Sequence, residues 1–262
     1  MIAKEWRDAR WKLLVAAIPV MLLVFLISPY QEFVEVARRI PGEDPVDNAL
    51  RDLSDLYYLS GFVVLMPLAG FLGVAAISGE VSNGTILQLL PRPLSRIRLL
   101  LVKYAVGAAT LLVAAVLGKV LLTCAAAVRG YPLGQLRVLE AVFSVLVLWL
   151  GVLFVLGTAV LISVVFRGVL ASVVACVLTL TLVFALPNII FNLYLPSTGQ
   201  LVDLSTRLTL LTYWMPANYY YSGPRDPSIE LGGFTVANFL VCLISATLPL
   251  LAALWIFRRR SY

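Results

Sequence analysis

The sequence predicts an all-α membrane protein. It would have six transmembrane helices, an N-terminal amphipathic interfacial helix, a short cytoplasmic helix between the second and third spans, and both termini in the cytoplasm. Three observations carry this. First, 61% hydrophobic residues against 13% charged, with a mean hydropathy of +0.96, leave too little polar surface to clothe a water-soluble globule. Second, the apolar residues fall in six long stretches, each close to the roughly 20 residues that cross a bilayer core. Third, the basic residues sort unequally between the two sides that six spans define.

In order, the first span is placed at Leu13 to Tyr30. Lys4, Arg7, Arg10 and Lys12 precede it, as in a signal peptide, but Glu5 and Asp8 interrupt the basic region and no A-x-A pattern follows, so a retained helix is expected. Before it, Ile2, Trp6, Ala9 and Leu13 recur at helical spacing with charges on other faces, which suits a helix in the headgroup layer. The second span is placed at Leu59 to Ser78, the third at Leu99 to Val128, the fourth at Val138 to Phe166, the fifth at Val169 to Leu195 and the sixth at Val236 to Phe257. The third and fourth exceed the minimum length, so tilt or projection beyond the bilayer is expected. Pro187, Asn188 and Asn192 are candidate breaks near the outer end of the fifth. No separate soluble domain is expected, and residues 1–262 read as one transmembrane domain.

With both termini inside, the cytoplasmic side carries Lys4, Arg7, Arg10, Lys12, Arg92, Arg96, Arg98, Lys103, Arg167, Arg258, Arg259 and Arg260. The other side carries Arg38, Arg39, Arg51, Arg129, Arg137, Arg207 and Arg225, so twelve stand against seven and favour this topology. The Arg258-Arg259-Arg260 run and the net charge of +6 then answer to anionic headgroups, and no nucleic-acid partner is expected. A multi-pass protein of the plasma membrane is expected.

Several chemistries drop out. The chain has no histidine, hence no His-based triad or His metal cluster. Cys124, Cys176 and Cys242 lack metal-ligand spacing and read as small packing residues. No G-x-x-x-x-G-K-[ST] loop cradles nucleotide phosphates, so the chain is not expected to hydrolyse ATP by itself. An intramembrane enzyme would need paired carboxylates or a metal-binding run; the carboxylates cluster instead in the first outer loop, from Glu32 to Asp55.

The most informative segment is Ser78 to Lys103, SGEVSNGTILQLLPRPLSRIRLLLVK. Ser82 or Asn83 can cap a short helix whose Ile86, Leu89 and Leu90 share a face, Pro91 and Pro93 stop it, and Ser95 can cap the third span. Such an amphipathic turn presents one face to the cytoplasm, although any loop between spans can contain one. These residues resemble the ABC-2 type permeases, the membrane subunits of ATP-binding-cassette transporters. Glu80, then Gly84-Thr85, then Leu89-Leu90, then Pro93-x-Ser95-Arg96, with Lys103 opening the third span, match the family pattern.

The resemblance implies that the segment between the second and third spans is a coupling element. Glu80, Asn83, Gly84, Thr85, Ile86, Leu89, Leu90, Pro93, Ser95 and Arg96 would dock on a separate ATPase subunit that binds ATP and Mg. It further implies a pair of permease copies working with a pair of ATPases, as an exporter. The alternative is a mechanotransmitter, in which the same coupling moves an extracytoplasmic partner and no solute crosses. No cofactor is expected in this chain, and nothing in the spans selects a substrate class.

Within the membrane, Lys119 is a functional candidate because an intramembrane charge is costly. Glu140, beyond the hairpin from Arg129 to Arg137, is its expected ion-pair partner; a lining role toward an anionic substrate or headgroup is the competing reading. Outside, Tyr213, Trp214, Tyr219, Tyr220 and Tyr221 beside Pro216 and Pro224 suit an interfacial segment at the outer leaflet.

Overall fold

A chain surrounded by lipid must satisfy its backbone within each segment, and the apolar stretches beyond residue 58 do so as helices. The computed structural model describes residues 29–31, 53, 56–58, 61–82, 96–132, 138–166, 168–194 and 236–259, and these contain no strand. Five helices run in order: α1 (Met66–Ser82), α2 (Arg96–Val128), α3 (Val138–Val165), α4 (Val169–Tyr194) and α5 (Val236–Arg259). They correspond to the second through sixth apolar stretches. The first stretch up to residue 28, the N-terminal interfacial helix, the helix expected at residues 83–90 and the aromatic segment at residues 213–221 lie outside the described residues. Among the described residues, three helices are long and apolar enough to cross a membrane, and α1 and the first part of α4 are shorter apolar helices.

A π-helical turn, Gly61–Leu65, leads into α1. Pro67, second in α1, has no N–H to give the carbonyl of residue 63, and that missing bond favours a wider turn just before it. At its other end α1 runs four residues past Ser78, the boundary expected from the sequence. Ser78 donates its hydroxyl to the Val74 carbonyl and Ser82 donates to that of Gly79 at 3.0 Å, so both serines fold back onto the helix instead of opening a loop. Glu80 therefore stands on a helix.

The 33 residues of α2 span about 50 Å, well beyond a hydrocarbon core of about 30 Å. Its end is a Schellman cap: the Tyr131 N–H donates to Ala126 at 3.0 Å, the Gly130 N–H donates to Ala127 at 3.1 Å, and Gly130 takes φ 83°. Among the described glycines, Gly130 is the one whose backbone conformation a side chain would strain.

The central helix is α3, with 72% of its apolar window buried against 28% for α2 and 22% for α5. Two glycines let neighbours close on it. On α1, a Cβ at Gly73 would sit 2.5 Å from Ala159 Cβ and 2.8 Å from the Leu156 carbonyl oxygen. On α3 itself, a Cβ at Gly157 would meet Pro249 Cβ of α5 at 3.3 Å. Trp149 of α3 donates its indole N–H to the Ala108 carbonyl of α2 at 2.9 Å. The core between them is Ile77, Leu100, Leu111, Leu148, Val152, Val155, Leu156 and Phe257, each under 2% exposed.

Beyond Pro67, two prolines lie inside the described helices. The fifth stretch, expected to break near Pro187, continues as α4 to Tyr194. A break within lipid would strip several backbone groups of partners, more than the single bond a proline removes, so the helix runs on. Pro249 is accommodated in α5 in the same way, with its ring facing the space left by Gly157. Outward faces are apolar: Val113, Leu117 and Val120 on α2, Val174, Val177 and Leu178 on α4, and Leu248 and Leu251 on α5 are all exposed. Apolar stripes of this length belong against acyl chains or other helices rather than water.

Candidate functional site

The segment singled out by the sequence is entered from α1 and left through α2, and the two helices are joined at that point. Lys103 Nζ donates to Glu80 Oε1 at 2.8 Å, with the two side chains 7% and 18% exposed. Glu80 lies in the last turn of α1 and Lys103 two turns into α2, so α2 overreaches the end of α1 by roughly 7 Å. Leu99 and Leu100 of that overreach are buried. The carboxylate is thus turned toward the neighbouring helix. Of the remaining residues assigned to docking, Asn83, Gly84, Thr85, Ile86, Leu89, Leu90, Pro93 and Ser95 lie outside the described residues, and Arg96 is described only as the first residue of α2. Lys103 belonged to the quoted pattern but was not identified as the partner of Glu80. Its opposite charge at the entrance of the next span was the available signal.

The second polar position is Lys119. Its Nζ lies 4.6 Å from the centroid of the Tyr57 ring, on the segment that precedes α1. Tyr57 is 1% exposed and is fixed there by its hydroxyl, which donates to the Ala115 carbonyl at 3.0 Å, one turn before Lys119. Tyr58 packs edge-on against Tyr57, with centroids 5.5 Å apart. The aromatic face supplies negative potential to the ammonium without a formal charge. Glu140, the expected partner, falls in the first turn of α3, and its side chain lies outside the described residues. Tyr57 went unread as a partner because nothing in the sequence links it to a lysine so far along the chain.

At the same end of α2, the Tyr30 N–H donates to the Arg129 carbonyl at 3.1 Å, and the Tyr30 and Tyr131 rings lie 5.4 Å apart. The end of the first apolar stretch is therefore tied to the α2–α3 turn. Near the C-terminus, the Arg259 guanidinium stacks over Trp255 at 4.0 Å, which holds one cation of the terminal basic run against its own helix. A groove of about 440 Å³ between α1 and α4 is lined by Met66, Phe71, Val74, Val173, Cys176 and Val177 among others, with no charged side chain in its wall. Such a lining offers mainly shape and dispersion contacts, with the Thr181 side chain as its one hydroxyl.

Four serine and threonine hydroxyls in the helices share one habit. Thr110 donates to Val106, Ser144 to Ala141, Ser163 to Val160 and Ser172 to Gly168, each on its own helix or at that helix's start. These groups spend their donors locally, whereas the buried Tyr57 hydroxyl reaches across to α2. Among curated proteins, none matches this chain. The model of the ABC-2 family transporter proteins, however, matches residues 1–262, the same family that the Glu80-to-Lys103 pattern resembles, and the chain is accordingly a member of that family of ABC transporter membrane proteins.

Proposed function

We propose that the chain is the membrane-spanning subunit of an exporter whose work is done by ATP hydrolysis on a separate nucleotide-binding subunit. ATP and Mg would bind that subunit, and two permease copies would form the membrane unit, with six spans per copy and both termini in the cytoplasm of a cell bounded by the plasma membrane. The family match over the whole chain carries the reading, because members of such a family work with ABC ATPase partners. The chain's lack of a phosphate-cradling loop is consistent with that division of labour. Residues from Asn83 to Arg96 form the docking element, with Glu80 and Lys103 at its base. On nucleotide binding the ATPases close, displace this element, and the helices switch access from one side of the membrane to the other.

The test is purification of the tagged chain from its native cells in mild detergent, followed by mass spectrometry. A Walker-motif ATPase should accompany wild type in stoichiometric amount and be lost from an Ile86→Asp, Leu90→Asp double variant that still folds. Purification of a folded chain with no ATPase would defeat the reading. Export itself is checked by vesicle flux after partner reconstitution; ATP-driven work with no solute flux and a captured extracytoplasmic protein would instead favour mechanotransmission.

A further inference from the structure

Glu80 and Lys103 meet across the base of the docking segment. A buried or half-buried ion pair is a weak source of stability, since desolvating two charges offsets much of their attraction and an apolar pair of similar volume often does as well. What a charge pair supplies that an apolar pair does not is position. A leucine can slide a few ångströms along a facing helix and keep its contacts, whereas an ammonium held at 2.8 Å from a carboxylate oxygen loses most of its hydrogen bond on moving by 1 Å. At this end Ile77 and Ser78 of α1 and Leu99 and Leu100 of α2 are buried and mainly apolar, so the ion pair is a directional contact there, while the Tyr57–Ala115 bond and the Gly73 contact with α3 hold the helices farther along. The small serine at Ser78 spends its hydroxyl on its own helix.

We propose that the Glu80–Lys103 pair is a clasp that locks α1 and α2 against relative sliding, so that force applied to the docking segment moves both helices as one body. Glu80 and Lys103 are thus positioning residues: the carboxylate acts inward on α2 and not on the ATPase surface. The inference rests on the reading of residues 83–95 as the docking element, but its first test does not need an ATPase. With Cys124, Cys176 and Cys242 replaced by Ala, spin labels are placed at Ser82→Cys, at the end of α1, and Ile97→Cys, at the start of α2, both on exposed side chains. Their distance distribution is measured by pulsed electron resonance in detergent.

The wild-type pair should give one narrow distribution. Glu80→Gln and Lys103→Gln, which keep size and lose one charge, should each broaden it at least twofold, and the exchange Glu80→Lys with Lys103→Glu should restore the narrow form. An unchanged width in both single variants, or an exchange variant as broad as Glu80→Lys alone, would overturn the clasp. A second arm uses the complex with its ATPase. Each single variant should retain the ATPase on purification yet lower the permease-dependent part of ATP hydrolysis at least tenfold, with recovery in the exchange variant. Loss of ATPase binding on Glu80→Gln with an unaltered label distance would place Glu80 on the docking surface and overturn the inward role. A wild-type chain that purifies without any ATPase would refute the transporter reading while leaving the label distances to decide the clasp.

Discussion

A lysine at the centre of a membrane helix costs about 2.5–3.5 kcal/mol to insert, and a desolvated contact with an aromatic face returns about 2 kcal/mol. For Lys119 over Tyr57 the balance is against the charge by about 1 kcal/mol. Lys119→Met should therefore raise thermal stability of the purified protein slightly, while Tyr57→Leu, which removes both the ring and the hydroxyl bond to Ala115, should lower it by about 2–4 kcal/mol. Tyr57→Phe keeps the ring and should cost only about 1 kcal/mol. All three are read from thermal unfolding in one detergent. A Lys119→Met protein less stable than wild type would mean that the ammonium has a stronger partner than the ring. If instead Lys119→Met is more stable but inactive in the assembled complex, the charge is retained for function and not for folding. Lysine was visible in the sequence as an anomaly because any charge in an apolar run is one. Its aromatic neighbour was not, because a ring contact leaves no spacing rule between residues this distant in the chain.

At the level of helices, α1 carries two glycines whose substitution should have opposite signs. Gly73 faces backbone of α3, and a methyl there would force the two helices apart, so Gly73→Ala should destabilise by about 1–3 kcal/mol and Gly73→Val by more. At Gly79 nothing described lies within 4 Å, and Gly79→Ala should stabilise by the difference in helix propensity, about 0.8–1 kcal/mol. Denaturation midpoints of the two alanine variants check both; equal effects would show that the α1–α3 crossing is not closed on Gly73. The helix boundaries were legible from apolar run length to within a few residues, since lipid demands that length. The end of α1 was not: Ser78 and Gly79 look like punctuation, and only the serine hydroxyls returning to their own helix reveal that it continues to Ser82. Pro187 misled in the same direction, because the rule for prolines in water overstates their power to break a helix that has no water to turn to.

For the whole molecule, the basic-residue asymmetry predicts which end of the bundle faces which compartment. In intact cells and a cysteine-free background, a membrane-impermeant maleimide should label Pro132→Cys, beyond the α2 cap, and leave Ser82→Cys unlabelled until the membrane is opened. The reverse pattern would invert the topology. The all-helical class and the family could be read from composition and from the Glu80-to-Lys103 pattern. Which helix is central could not, because α3 is more apolar than α2 and α5, which would suit lipid as well as a core, and packing shows that it is enclosed. The joints between helices also share a direction in time. Tyr57 precedes Lys119, Glu80 precedes Lys103, Tyr30 precedes Arg129, and Ala108 precedes Trp149. A ribosome adding about 5–20 residues each second exposes Lys119 some 3–12 s after Tyr57. In these two described contacts the side chain that receives each lysine has therefore already been made when the lysine enters the membrane.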